Sequence, residues 1–213
     1  MKSLLNASLL THNSMLNIFK EYPATIIKLG GSLFDLPDLG TRLEDFLEHH
    51  HFANPILIPG GGPFADAVRE LDQLHHLGDA ASHEIGTHTL SLSSRFVASL
   101  SIKFVLTALP EEFDRCWTRQ SIPIFDAAAM TLNHSPLPSS WDVTSDSIAA
   151  WICSLHPKSQ LVLVKSVDLP KGLSYRDATQ AGLVDQYFPN IAGNLTHISW
   201  CNLRSESPTL SCW

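Results

Sequence analysis

One lysine, one carboxylate and two glycine-rich turns are the residues of this 213-residue chain whose types and spacing can do chemistry. Lys28 is next to last in the apolar run Ile26-Ile27-Lys28-Leu29, just before Gly30-Gly31-Ser32. A second apolar run, Leu57-Ile58-Pro59, stops in Gly60-Gly61-Gly62-Pro63. Asp146 stands in Trp141-Asp142-Val143-Thr144-Ser145-Asp146-Ser147. Glycines at a strand end leave backbone N–H groups uncovered, and a helix N-terminus adds partial positive charge, so such loops favour anions such as phosphate. An ammonium group beside them neutralises the oxygens of a transferred phosphoryl group as charge builds. Lysine, acid and loops together supply the charges that phosphoryl transfer needs.

Each feature also has a plainer explanation. Lys28 reads either as a solvated edge lysine or as a charge in use, because a lone lysine inside a buried strand is costly without a partner. At the C-terminal end of a parallel strand it points into the crevice where α/β proteins bind ligands. Asp146 in a first helical turn can be mere dipole complementation. The helix it opens is apolar nearly all round (Ile148, Ala149, Ala150, Trp151, Ile152, Cys153, Leu155), so its charge needs a cation, for which Lys28 is the candidate. Thr144 or Asp142 is expected to cap that helix, and Trp141 reads equally as a packing residue or a ligand contact. The triple glycine matches a dinucleotide-binding loop only formally (Gly60, Gly62, Ala65), with no acid about twenty residues on, and no Walker loop occurs. A plain turn needs one glycine of positive φ; three in a row let a substrate or the migrating phosphoryl approach the backbone closely.

The elements that position these groups alternate. Strands are expected at Ala24–Leu29, Pro55–Pro59, Ile102–Thr107, Ile122–Asp126, Gln160–Val167 and Thr196–Trp200, with helices between most of them. This pattern predicts an α/β fold, a three-layer α/β/α sandwich with a mainly parallel central sheet. After the triple glycine, Pro63 suits a first helical position, and Phe64, Ala67, Val68, Leu71 and Leu74 form one apolar stripe. A longer helix is expected over Ala80–Leu100, and Thr131–Ser140, with Pro136 and Pro138, reads as a loop. Residues 1–20 read as a loosely attached tail, not a signal peptide, with Met15 an alternative start; 21–204 read as a single domain and 205–213 as a polar, loose C-terminal tail apart from its terminal tryptophan.

Composition narrows the class. The apolar fraction is 44%, charged residues are 16%, and the net charge of −7 with no basic stripe argues against nucleic-acid binding. No apolar run approaches a membrane span. The four cysteines (116, 153, 201, 212) have no Cys-x-x-Cys spacing and read as reduced, mostly core thiols of a cytoplasmic protein. The runs His49-His50-His51 and His75-His76 read as solvated helix ends, and no metal site is expected.

Together Lys28-x-Gly30-Gly31-Ser32, the triple glycine and Thr144-x-Asp146-x-x-Ala149-Ala150 resemble the amino-acid kinase superfamily over roughly Ala24 to Gly172. That resemblance implies ATP as phosphoryl donor, with Mg2+ held mainly by the nucleotide phosphates. It implies that Lys28 stabilises the migrating phosphoryl and that Asp146 orients the lysine. Gly30, Gly31 and Ser32 would line the phosphate site, with Lys165, Asp168, Lys171 and Gly172 at the nucleotide, and Gly60, Gly61, Gly62 and Thr144 at the acceptor. Pro59 to Asp66, Val68 to Asp72, Asp79-Ala80-Ala81-Ser82-His83 and Ser140 to Ala150 further resemble the small archaeal-type kinases of methanofuran biosynthesis, which phosphorylate an aminomethyl-furanmethyl phosphate. On charge alone, Arg69 is assigned to that acceptor's phosphate and Asp72 or Asp142 to its ammonium. The chain is expected to be a homo-oligomer.

Two departures are visible. Where many relatives carry Asp-Val-Asp-Gly, Ser166-Val167-Asp168 runs into Leu169-Pro170-Lys171-Gly172, and no lysine follows Lys171. Lys165 or Lys171 then substitutes for a downstream lysine, or neutralisation rests on Lys28 and magnesium. The competing expectation is a noncatalytic nucleotide- or oxyanion-binding protein, regulatory or for storage, on the same fold.

Overall fold

Thr25–Leu29 (β1) is buried at every position. A strand buried on both faces must be covered by helices on both sides, the environment of a parallel sheet. The computed structural model describes residues 23–213, so the expectations for residues 1–20 and for Met15 lie outside the described residues. β1 is flanked by Pro55–Pro59 (β2) and Gln160–Lys165 (β5), both parallel to it. Phe104–Thr107 (β3), Ile122–Phe125 (β4), Ile198–Asn202 (β6) and Ser211–Cys212 (β7) complete a seven-stranded sheet in the order β3-β4-β2-β1-β5-β6-β7. All neighbours run parallel except β7, which is antiparallel to β6.

The helices are Leu39–His50 (α1), Gly62–His75 (α2), Asp79–Ala98 (α3), Phe113–Thr118 (α4), Ala128–His134 (α5), Ser145–Ser154 (α6), Tyr175–Gln180 (α7) and Phe188–Ala192 (α8). Strand residues alternate between two cores. Ile26, Ile58, Leu161 and Leu163 pack with Ile148, Trp151 and Ile152 of α6 on one face. Ile27, Leu29, Leu57, Val162 and Val164 pack with Leu39, Leu43, Phe46 and Leu47 of α1 on the other. The expected three-layer sandwich with a mainly parallel sheet is the fold observed.

The chain leaves β1 toward β2 on one side and returns through β5 on the other, so strand order reverses between β1 and β5. In open α/β sheets such a switch point, at the carboxyl ends of the strands, is where ligands bind. Both glycine loops open there: the Gly30 N–H donates to the Val164 carbonyl of β5, and the Gly60 N–H to the Leu29 carbonyl of β1.

Several boundaries differ from expectation. β3 starts at Phe104 because Ile102, 99% exposed, lies on the turn before it. β5 ends at Lys165, and β6 is shifted to Ile198–Asn202. Thr131–His134 is helical, because α5 continues until Ser135 adopts an extended conformation ahead of Pro136. The stripe on α2 is only partly buried: Val68 is inside, whereas Leu71 and Leu74 are 50% and 70% exposed. Residues 205–213 are not a loose tail throughout. β7 pairs with β6, and the Trp213 ring packs on Tyr175, Phe188 and Trp200 while its Nε1 donates to the Leu173 carbonyl. Cys116, Cys153 and Cys201 are buried thiols and Cys212 is exposed.

Candidate active site

Register brings the charged groups together. Lys28 pairs with Leu163 across the β1–β5 ladder, so Lys165, two residues on, projects from the same face of the neighbouring strand. That face is the one α6 covers, and Asp146 in the first turn of α6 meets both lysines. Lys28 Nζ and Lys165 Nζ each lie 2.8 Å from Asp146 Oδ1, and Lys165 Nζ also donates to Oδ2 at 2.9 Å. A further bond from Lys165 Nζ reaches the Leu183 carbonyl at 2.8 Å, with the Trp200 ring 5.5 Å away. All three side chains are buried, with residue exposures of 4%, 4% and 8% for Lys28, Asp146 and Lys165.

Burial alone would raise the Asp146 pKa, but the charges of Lys165 and Lys28 outweigh it and hold the carboxyl at about 2. Burial pushes Lys165 down to about 8, with Asp146 opposing the shift and Lys28 adding to it. Two ammonium groups thus share one carboxylate away from water. The excess positive charge is a standing attraction for an anion.

The start of α6 is held by a residue that the sequence does not single out. Thr144 is the N-cap but its hydroxyl accepts no capping bond. Asp185, 41 residues on, takes that role: Oδ2 accepts from the Thr144 N–H, the Thr144 hydroxyl and the Ser147 N–H, each at 2.9 Å. Its Oδ1 accepts from the Ser147 hydroxyl at 2.5 Å and from the Phe188 N–H at 2.9 Å. Burial, then the charge of Asp146, pushes the Asp185 carboxyl up. The one local signal is an acid three residues before Phe188-Pro189, a helix-start spacing.

The glycine loops touch backbone to backbone. A Cβ on Gly31 would sit 2.3 Å from the Gly62 Cα, and one on Gly61 would sit 2.4 Å from the Ala65 Cβ. Of the triple glycine only Gly62 has positive φ, at 53°. Close approach of the loops to one another and to α2 therefore demands these glycines before any ligand does.

Beside the loops opens a cavity of about 270 Å3 whose walls include Lys28, the triple glycine, Arg69, Trp141, Thr144 and Ser145. Trp141 is both packed and exposed to this cavity. Its ring abuts Gly86, where a Cβ would lie 2.9 Å from it, and its Nε1 donates to Asp72 Oδ2 at 2.9 Å. The Arg69 guanidinium lies 4.8 Å from the ring centroid and pairs with Asp66 at 2.6 Å.

Other expected site residues are placed elsewhere. Asp72 is committed to Trp141, and the exposed Asp142 turns its backbone carbonyl to the Tyr187 N–H; neither lines the cavity. Ser32, by contrast, lines the cavity with Gly31, and its hydroxyl lies 2.9 Å from that of Ser166, joining the first glycine loop to the end of β5. Asp168 accepts from Asn202 Nδ2 at 3.0 Å, while Lys171 and Gly172 sit exposed on the turn that follows. Arg204, not anticipated, donates to the Ser32 carbonyl at 2.8 Å and pairs with Asp35.

No protein-family model matches the chain. Over 146 residues it is 27% identical to the [5-(aminomethyl)furan-3-yl]methyl phosphate kinase of Methanocaldococcus jannaschii. The match takes in 67% of this chain and 66% of that enzyme, just under two thirds of its length. Among solved structures, the UMP kinase of Bacillus anthracis superposes with a TM-score of 0.58 at 13% identity, covering 89% of this chain and 100% of that one. Uridylate kinase from Archaeoglobus fulgidus gives 0.55 at 13% identity, covering 83% and 88%. The chain has the amino-acid kinase fold. Within this fold the Lys28–Asp146–Lys165 cluster occupies the switch point of the sheet. Among the described residues no helix is long and apolar enough to cross a membrane.

Proposed function

We propose that this chain is an ATP-dependent kinase that transfers the γ-phosphoryl group to a small acceptor held in the cavity beside Gly60–Gly62. The observation that carries the reading is the sharing of Asp146 by Lys28 and Lys165. Lys28 lines the acceptor cavity, and Lys165 approaches from the β5 side, so the two ammonium groups flank the path of the phosphoryl. An oxygen of the acceptor attacks the γ-phosphorus while the bond to the β,γ-bridging oxygen breaks, and ADP leaves with that electron pair. Lys28 meets charge on the equatorial oxygens and Lys165 meets charge on the leaving side. Asp146 keeps both in place and is not a base. Lys165 thereby takes the place of the absent downstream lysine.

Magnesium, when bound, neutralises nucleotide phosphate charge. Asp146 is committed to two lysines and Asp185 to a helix start, so neither is free to hold the metal, which would be held mainly by the nucleotide phosphates. The nucleotide phosphates are assigned to Gly30, Gly31 and Ser32, with the Ser166–Gly172 turn beyond them.

The acceptor proposed is the phosphate monoester named in the curated relative, [5-(aminomethyl)furan-3-yl]methyl phosphate. A phosphate acceptor is already ionised at neutral pH, which suits a cavity furnished with cations and no free carboxylate base. This reading places the protein in the cytoplasm as a homo-oligomer; exposed Leu71, Leu74, Ile85 and Leu92 on α2 and α3 supply apolar surface for assembly. The test is an ADP-release assay offering the furan phosphate beside uridylate, glutamate and acetylglutamate. Preference for the furan compound is expected. Turnover of none, with tight oxyanion binding, would favour the noncatalytic alternative.

A further inference from the structure

The wall of the cavity formed by α3 offers acceptors only. His83, 8% exposed, lines the cavity together with Thr87 and Gly86. Its Nδ1 lies 3.0 Å from the Ser140 carbonyl. A carbonyl oxygen can only accept, so Nδ1 carries the proton and donates. In the neutral ring this fixes Nε2 as a lone-pair acceptor, and Nε2 has no hydrogen-bond partner among the described residues. One helical turn on, the buried Thr87 spends its hydroxyl proton on the His83 carbonyl at 2.8 Å. What it can turn toward the cavity is a lone pair. The Trp141 ring, seated against Gly86, closes this end of the cavity, with the Arg69 guanidinium, itself paired to Asp66, 4.8 Å over the ring.

The opposite end of the cavity has the reverse character, with the Lys28 ammonium and the glycine loops. Thr89, whose hydroxyl lies near Gly61, marks that end on α3. His83 is six residues away from it, about 9 Å along the helix at 1.5 Å per residue. A cavity with donors at one end and the His83 acceptor about 9 Å along the helix from it, Thr87 lying between, suits a ligand that is anionic at one end and a hydrogen donor at the other. The two acids first assigned to a substrate ammonium, Asp72 and Asp142, do not reach the cavity, which leaves that role open.

We propose that His83 Nε2, with Thr87 beside it, binds the ammonium group of the acceptor and makes this a kinase for zwitterionic phosphate monoesters. The inference rests on the kinase reading above but concerns a different end of the cavity. It is tested by calorimetric binding of two probes to the full chain: [5-(aminomethyl)furan-3-yl]methyl phosphate and its analogue with methyl in place of aminomethyl. A hydrogen bond to a charged donor gives the native protein a preference of about tenfold to a hundredfold for the amine.

The variants separate binding from support of the fold. His83→Asn keeps an N–H where Nδ1 bonds Ser140 and deletes Nε2; His83→Gln keeps a polar atom near Nε2 and gives up the Ser140 bond. The preference falls to within about twofold in His83→Asn and is kept in part in His83→Gln. Thr87→Val, nearly isosteric, lowers it by about threefold, and it serves as the deciding variant should His83→Asn not fold. An unchanged preference in His83→Asn, greater damage in His83→Gln than in His83→Asn, or no preference in the native protein overturns the proposal. Selective binding without phosphoryl transfer would instead refute the kinase reading and leave the ammonium site standing.

Discussion

Lys28 and Lys165 place their ammonium nitrogens 2.8 Å from one and the same atom, Oδ1 of Asp146. Two like charges converge on a single buried carboxylate because β1 and β5 present them from the same face of the sheet. Asp146→Asn removes the attraction and leaves two buried cations facing one another. Breaking a buried pair costs about 3–5 kcal/mol. Denaturant unfolding is expected to show a loss of that size, with phosphoryl transfer abolished; a variant as stable as the native protein would mean that the cluster is solvated.

The same cluster sets two pH limits. The Asp146 carboxyl is at about 2 in the fold against an ordinary 3.8, so its pairing contributes stability above pH 3.8 that is lost as pH falls through 2. Lys165 is at about 8 against 10.5. Its burial cost is fully present below pH 8 and is relieved as pH rises toward 10.5, so its deprotonation does not unfold the protein. Activity, which needs the ammonium, is expected to fall as pH rises through about 8 while thermal stability holds. Lys165→Arg, whose guanidinium stays charged, is expected to lack that alkaline limb in kcat/KM profiles.

Asp185 secures the helix that carries Asp146. Asp185→Ala strands the N–H groups of Thr144 and Ser147 in a mostly buried place, at a cost of about 2–3 kcal/mol. For a chain of this size each kcal/mol lowers Tm by about 2–4 °C. Thermal unfolding should therefore shift down by roughly 4–12 °C, and kcat should drop with it as Asp146 loses its place. An unaltered Tm would contradict the capping role.

Glycines at two positions should respond differently. Gly31→Ala drives a methyl to 2.3 Å from the Gly62 backbone, so the two loops must part, and both stability and transfer should fall sharply. Gly78 has φ of 80° and ψ of 159°, a region kept almost wholly for glycine, and a methyl there would meet nothing within 4 Å; Gly78→Ala carries only the backbone strain, about 1–3 kcal/mol. Equal effects in the two variants, compared by unfolding and turnover, would dismiss the loop-contact argument.

The layers of the fold and the Lys28–Asp146 pair were legible because their signals are local. Apolar runs ending in glycine mark parallel strands, and a charge inside such a run, or opening an apolar helix, announces a partner. Lys165 was visible as a strand-end lysine, but its place beside Lys28 depends on the β1–β5 register, which no spacing reveals. Asp185 left almost no trace, since it caps a helix 41 residues earlier in the chain. Asp72 looked like a substrate acid on charge alone, whereas the structure turns it to the Trp141 indole. Ser211-Cys212 reads as polar tail because a two-residue strand is too short to show periodicity, and Trp213, which stands apart from that tail, finds its aromatic partners only in three dimensions.

On the reading proposed above, Lys28 and its carboxylate-bound partner Lys165 stabilise a phosphoryl group in flight from ATP. The most direct measurement follows the γ-labelled phosphate of ATP into [5-(aminomethyl)furan-3-yl]methyl phosphate, with native protein and with Lys28→Ala side by side. Lys28→Ala leaves Asp146 paired with Lys165, so the variant should fold with near-native circular dichroism. Native protein is expected to form labelled diphosphate and ADP in equal amounts, and Lys28→Ala to be slower by about 10³-fold or more. Label that never leaves ATP in the native protein, or that moves equally fast in a folded Lys28→Ala, would rule out this role for Lys28.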